Sequence, residues 1–132
     1  MTDSTYKNIY FRTRINEAGI RAVAAPVLEV ARENSKHFDF QCRDLSDNKA
    51  FIDLTSMTVS FVIREKKYEY DPLIEKESGD GIDIVDAETG LITIELTADD
   101  MDIPVTDYFY DLVIEDEDER HSITTGIFRV LN

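Results

Sequence analysis

The sequence predicts an all-β fold, built as an antiparallel sandwich or barrel, because four stretches of the chain alternate apolar and polar side chains. A period of two puts successive side chains on opposite faces of a strand, so each stretch has one buried and one wet face. A turn signal follows each stretch, and short strands spaced in this way are typical of antiparallel sandwiches and barrels. The four stretches span residues 57–63, 91–96, 108–114 and 126–130.

The length and composition predict one domain with one core. The chain has 132 residues, of which 42% are hydrophobic, the ordinary share for a globular protein. Trp is absent, so Phe and Tyr must supply the large core side chains. The first residues lack the apolar run of a signal peptide, and no segment has the length of a membrane span. We therefore expect no membrane partner.

The N-terminal residues 1–25 differ from the rest and are interpreted as an arm or an extra hairpin ahead of a sandwich over residues 26–132. Within them, residues 7–12 and the weaker 20–25 predict short strands on either side of a turn at 16–19. Residues 26–33 suit a helix or an edge strand, and we favour a short edge strand because another strand follows at once.

Alternation also predicts which side chains face the core. Inward positions in the next two strands and in the later pairs are Phe38, Phe40, Cys42, Met57, Val59, Phe61, Ile63, Ile92, Ile94, Leu96, Tyr110, Leu112 and Ile114. Outward positions in the strand that begins near Met57 are Thr58, Ser60, Val62 and Arg64. Residues 73–76 and 82–85 predict shorter strands around a Gly-rich turn, and Thr97 resembles a helix N-cap that starts a single helical turn.

The single cysteine, Cys42, rules out a disulfide within the chain and favours synthesis in a reducing cytoplasm. Its place in the alternation predicts a small core side chain rather than a nucleophile.

The net charge of −14 is unevenly distributed along the chain. Residues 1–36 carry six basic and four acidic side chains, whereas the remainder carries eight basic and twenty-four acidic ones. An acidic body repels nucleic acid, so we expect no DNA or RNA partner. One interpretation is that the acidic side chains keep the protein soluble. The other is that the basic arm of one copy docks on the acidic body of another.

Several motifs together resemble a small immunoglobulin-like domain of tailed phages, best known at the N-terminus of baseplate upper proteins. The resemblance covers about residues 27–131. It is carried by Asp53-Leu54-Thr55, Met57 to Phe61, Gly90 to Ile94, Leu96 to Asp100, Tyr108 to Leu112 and Gly126 to Val130. It implies a single immunoglobulin-like antiparallel β-sandwich of about seven to nine strands with an N-terminal arm.

The chain departs from that family at three turns. The family usually has Gly where this chain has Glu33, Ser56 and Asp107. Tyr108, which follows the last of these, resembles the tyrosine corner of such sandwiches, whose hydroxyl bonds back to the upstream backbone.

The resemblance implies a non-enzymatic structural protein of a phage virion, an adaptor or attachment module in the tail, baseplate or fibre-anchoring region. Its partners would be other virion proteins and copies of itself, as a homo-oligomer without cofactors. We expect the arm to contact a neighbour by strand addition or charge pairing. The residues predicted for that contact are Lys7, Ile9, Tyr10, Phe11, Arg12 and Arg14.

Two alternatives remain open from the residues. One is a head decoration or head-fibre base protein. The other is a calcium- or carbohydrate-binding adhesion module, since acids cluster at 80–88, 99–102 and 115–119, although none of these clusters has the spacing of a calcium-binding loop. His37 and His121 lack a nucleophile nearby in sequence, and neither a phosphate loop nor a Cys/His metal motif is present.

Overall fold

The computed structural model describes residues 7–11, 23–24, 26–44, 48, 50–66, 71–117 and 120–132. The described residues form eleven strands and no helix. The strands are β1 (Lys7–Phe11), β2 (Val23–Ala24), β3 (Leu28–Ala31), β4 (Lys36–Asp44), β5 (Ala50–Phe51), β6 (Thr58–Arg64), β7 (Ile74–Ser78), β8 (Gly81–Asp86), β9 (Leu91–Leu96), β10 (Asp107–Glu115) and β11 (Arg120–Leu131). The protein is therefore all-β, as predicted.

The strands form one curled, open sheet in the order β1-β4-β9-β8-β7-β6-β10-β11-β2, with β3 also on β11 and β5 also on β4. Only two residue pairs, Glu77 with Gly81 and Ser78 with Ile82, join β7 to β8 and so divide the sheet into two halves. The halves meet in the core, where the rings of Phe38 on β4 and Phe128 on β11 lie edge to face with centroids 6.3 Å apart.

The pairing is not antiparallel throughout, which differs from the prediction. β1 runs parallel to β4, both β2 and β3 run parallel to β11, and β7 runs parallel to β8. β7 and β8 are consecutive in sequence, but only two residue pairs join them. The other parallel partners are far apart along the chain, so no tight turn sets their direction.

The predicted core positions are confirmed on β4, β6, β9 and β10. Phe40, Phe61, Ile92 and Tyr110 are all fully buried, and they belong to one continuous cluster. One outward position was predicted wrongly. Val62 is only 7% exposed, and Val113 on the same outer face of β10 is 4% exposed. Period-two reasoning identifies two faces but not which positions on the outer face are shielded from solvent.

The segment after Pro26 forms the predicted edge strand, as β3. It pairs with β11 from Leu28 opposite Phe128 to Ala31 opposite Leu131. The Tyr110 hydroxyl donates a hydrogen bond of 2.7 Å to the carbonyl of Pro26, which ties the start of β3 to β10.

The turn before β9 depends on Gly90. Its φ is +73°, and a Cβ there would lie 2.7 Å from the carbonyl oxygen of Cys42 and 2.9 Å from that of Ile52. Only glycine fits both the left-handed conformation and this close approach of three backbone segments. The turn is thereby held against β4.

Two of the three positions that depart from the phage-domain pattern have a left-handed backbone. Glu33 has a φ of 66° and Ser56 a φ of 64°. Asp107 opens β10 without a positive φ. The first two turns therefore hold a side chain in a conformation that disfavours one.

The predicted capped turn at Thr97 is confirmed. The Thr97 hydroxyl accepts a hydrogen bond of 3.0 Å from the amide of Asp100, and the Asp100 carboxylate accepts one of 2.8 Å from the amide of Thr97. The amide of Met101 lies 3.2 Å from the carbonyl of Thr97, closing one helical turn. Because the chain turns away after Asp102, no helix follows.

The hydrogen bond expected of Tyr108 is also confirmed. Its hydroxyl donates to the carbonyl of Pro104 over 2.7 Å, four residues upstream. The bond fastens the loop before β10 to the buried start of that strand.

Candidate subunit-contact edge

The predicted contact arm lies at one edge of the sheet. β1 pairs with β4 from Lys7 opposite Phe40 to Phe11 opposite Asp44. No other strand of the described part pairs with β1, so β1 is the edge strand at this end of the described sheet. Arg12 and Arg14 lie outside the described residues, as do the side chains of Lys7, Tyr10 and Phe11.

Ile9 anchors the arm in the core. Its side chain is 0% exposed and belongs to the same buried cluster as its register partner Cys42. Burial raises the pKa of the Cys42 thiol to about 12. At neutral pH the thiol is protonated and unreactive, which agrees with the predicted core role.

Arg43 holds the outer surface of the arm in place. Its Nε donates to the Asn8 side-chain oxygen over 3.0 Å, and its Nη2 donates to the Gln41 side chain over 3.2 Å. The guanidinium also lies 4.6 Å from the centroid of the Phe51 ring, which is 48% exposed. Arg43 thus bridges β1 and β5 across β4, a role that sequence reasoning missed because it depends on register.

β1 is the strand predicted to contact a neighbouring copy, and it is also the strand that pairs with β4 of its own chain. The structure places β1 on its own chain, through backbone pairing and one buried side chain. Contact with a neighbouring copy remains a prediction. β1 does not pair with β2 among the described strands, because β2 lies on β11.

A groove of about 610 Å³ lies between β3 and the start of β4. It is lined by Val27, Glu29, Ser35, Lys36, His37, Phe38 and Asp39. His37 is exposed, as predicted for its outward position. The Asp39 carboxylate accepts a hydrogen bond of 2.7 Å from Thr93. The side chain of His121 lies outside the described residues.

The acidic clusters that motivated the calcium alternative are partly engaged in other contacts. Asp100 accepts from Lys76 over 2.9 Å, and Asp102 pairs with Arg32 over 2.7 Å. Asp83 and Asp86 are exposed on β8. Across the residues whose placement is described, no three His, Cys, Asp or Glu side chains are grouped to hold a metal ion.

Two arginines on the outer face of the β6–β10–β11 part are also paired with acids. Arg64 pairs with Asp111. Arg129 donates to both oxygens of Asp107, over 2.8 Å and 3.3 Å, and its hydrogen bonds lower the pKa of that carboxyl. Sequence alone could not locate these pairs, since each joins residues that meet only through strand register.

Comparison with known proteins leaves the family open. No protein-family model matches the chain, and no curated protein matches its sequence significantly. None of the described residues forms a helix long and apolar enough to cross a membrane.

Proposed function

We propose that the curled sheet is an immunoglobulin-like β-sandwich. The strand order supports this reading, since β1-β4-β9-β8 and β7-β6-β10-β11 form two halves connected through only two residue pairs. The hydrogen bond from Tyr108 to Pro104 supports it further, because it has the form of the tyrosine corner of such sandwiches.

The Asp-Leu-Thr motif has a definite local role that fits the resemblance. The Asp53 carboxylate accepts a hydrogen bond of 2.9 Å from the amide of Thr55, and hydrogen bonding to Thr55 lowers the pKa of Asp53. Leu54 is 1% exposed and its amide donates to the carbonyl of Ala87 over 2.8 Å. The motif therefore turns the chain and anchors it before β6.

The observation that carries the family proposal is the backbone at Glu33 and Ser56. These are two of only three non-glycine residues with positive φ in the described part of the chain. Both are positions at which the phage domain usually has Gly, the residue suited to that conformation. The backbone agrees with the family at these turns even though the residues differ.

On this basis we propose a non-enzymatic structural protein of a tailed-bacteriophage virion. It would act in many copies as an adaptor or attachment module in the tail, baseplate or fibre-anchoring region. It would be assembled in the cytoplasm of the host bacterium, with other virion proteins and copies of itself as partners. The basic arm around β1 would supply the contact with a neighbour.

Immunoelectron microscopy tests this proposal directly. Antibodies against the purified chain are expected to label the tail or baseplate of phage particles produced by the strain that carries the gene. Antibody pre-adsorbed with the purified chain is the control. Label on the capsid would support a head-decoration role instead. Particles that stay unlabelled, in a lysate where the antibody detects the chain, would contradict any virion role.

A further inference from the structure

The attachment of β1 to its own chain is small and self-contained. Five residue pairs with β4, the buried side chain of Ile9 and the hydrogen bond from Arg43 to the exposed Asn8 hold it. If β1 leaves, the stretch of β4 from Phe40 to Asp44 loses its partner on one edge, while β9 and β5 stay paired with β4, and the core loses one Ile side chain. An unpaired strand edge of this kind is a template for another strand.

The segment that fits this vacated edge is β1 of a second copy. It carries the same five residues in the same register, and therefore the same Ile9 for the same place beside Cys42. Contacts made between copies would equal those made within one chain, so the connecting segment and the protein concentration decide the balance between the two states.

Charge favours the exchange over other contacts between copies. Two chains of net charge −14 repel one another. Residues 4–16 nevertheless contain Lys7, Arg12 and Arg14 and no acid, so this segment is the most basic part of an acidic chain. A segment of this composition is attracted to an acidic neighbour by its opposite charge.

We propose that β1 is an exchangeable strand, which pairs with the β4 edge of a second copy and is anchored there by Ile9. This inference rests on the proposed function, in which many copies assemble through the arm, and it identifies the partner as another copy of this chain.

Cross-linking of two variants, each with one introduced cysteine besides the native Cys42, tests the exchange. Asn8 and Gln41 are register partners, and the Cα separation of neighbouring strands falls within the disulfide range. One variant carries Asn8→Cys and the other Gln41→Cys. Mixed in equal amounts and then equilibrated in a glutathione redox buffer, they form a covalent heterodimer through this register pair only if the arm of one chain lies on β4 of the other. Cys42 stays in place, since it is buried and its thiol pKa is raised.

Two controls make the result decisive. Glu95→Cys replaces Gln41→Cys in the first, because Glu95 is exposed on β9, which does not pair with β1. We expect the register pair to give about tenfold or more heterodimer than this random-collision control, rising with protein concentration. The second control is a single chain with both Asn8→Cys and Gln41→Cys, which should close an internal disulfide when dilute.

Equal cross-linking of the register pair and the Glu95 control would overturn the exchange, as would a double variant that forms this disulfide neither within a chain nor between chains. If the antibody labels virions but no register-specific cross-link forms, the proposed function stands and only the exchange is rejected.

Discussion

Glu33 and Ser56 keep left-handed backbones without the residue best suited to them. A left-handed backbone costs a non-glycine residue about 1–2 kcal/mol, whereas glycine loses about 0.5–1 kcal/mol of chain entropy. We therefore expect Glu33→Gly and Ser56→Gly each to raise the free energy of unfolding by roughly 0.5–1 kcal/mol, measured by urea denaturation.

Alanine at the same two sites separates the backbone effect from the side chain. Glu33→Ala removes the exposed ion pair with Arg32, at 2.8 Å, but keeps the strained backbone. Glu33→Ala should therefore not raise the free energy of unfolding, and neither should Ser56→Ala. Glycine variants no more stable than their alanine counterparts would show that these turns carry no such strain.

The hydroxyl of Tyr108 offers a second test at single-residue scale. Tyr108→Phe leaves the carbonyl of Pro104 without this donor and should lower the free energy of unfolding by about 1–2 kcal/mol. Tyr110→Phe removes the equivalent bond to Pro26 and should cost a similar amount for the same reason. An unchanged denaturation midpoint for Tyr108→Phe would mean that the hydrogen bond from the Tyr108 hydroxyl to Pro104 does not stabilise the fold.

At the scale of elements, β1 is part of the core rather than an accessory to it. Ile9→Ala removes a fully buried side chain and should destabilise the protein by about 2–4 kcal/mol. Asn8→Ala, one residue away, is the matched control: it removes an exposed side chain and its hydrogen bond from Arg43, and should cost only about 0.5–1 kcal/mol. Equal and small effects of the two substitutions on thermal unfolding would show that the arm is dispensable to the fold.

The capped turn at Thr97 predicts a pH dependence. Burial raises the pKa of Asp100, but hydrogen bonds from Thr97 and Lys76 outweigh it, so the net pKa is lowered. The stabilisation is therefore complete above the ordinary carboxyl pKa of about 4 and is lost as the pH falls through the lowered value. Asp100→Asn should cost about 1–2 kcal/mol at neutral pH and progressively less below about pH 4.

Asp99→Asn is the control for that experiment, since Asp99 is the exposed neighbour in the same turn. Urea denaturation of both variants across the acid range gives the comparison. A deficit for Asp100→Asn that stays constant with pH would argue against an ionic contribution.

Local sequence patterns predicted much of the fold. Alternation identified the buried faces of β4, β6, β9 and β10, and the Thr97 cap and the Tyr108 bond followed from local spacing. The sequence pattern could not predict which distant segments pair with each other. The parallel placement of β1 and β3, the burial of Val62, and the contacts of Arg43 with Asn8 and Phe51 all depend on which strands become neighbours.

For the whole molecule, the charge of −14 opposes compaction as well as association. Raising salt from about 0.01 M to about 0.15 M shortens the screening length from about 30 Å to about 8 Å. We expect the melting temperature to rise with salt over this range, measured by circular dichroism. A variant with Asp83→Asn and Asp86→Asn should respond less, and a melting temperature that falls with salt would contradict self-repulsion.

Light scattering of the full chain over the same salt range separates the two roles of charge. If basic arms hold copies together by charge pairing, the assembled fraction falls while the melting temperature rises. Association that is insensitive to salt would point instead to backbone pairing as the main attraction.

The pairing of β3 with β11 has a consequence for synthesis. Leu28 meets Phe128 one hundred positions later, and β10 lies between β6 and β11. On a ribosome, most of the chain is exposed before β11 emerges, and the edge of β10 that pairs with β11 stays unpaired until then. Closing so long a loop is entropically costly and slows folding. The nascent chain is thus most vulnerable to aggregation or proteolysis just before β11 is made, and the many acidic side chains already present would keep it in solution during that interval.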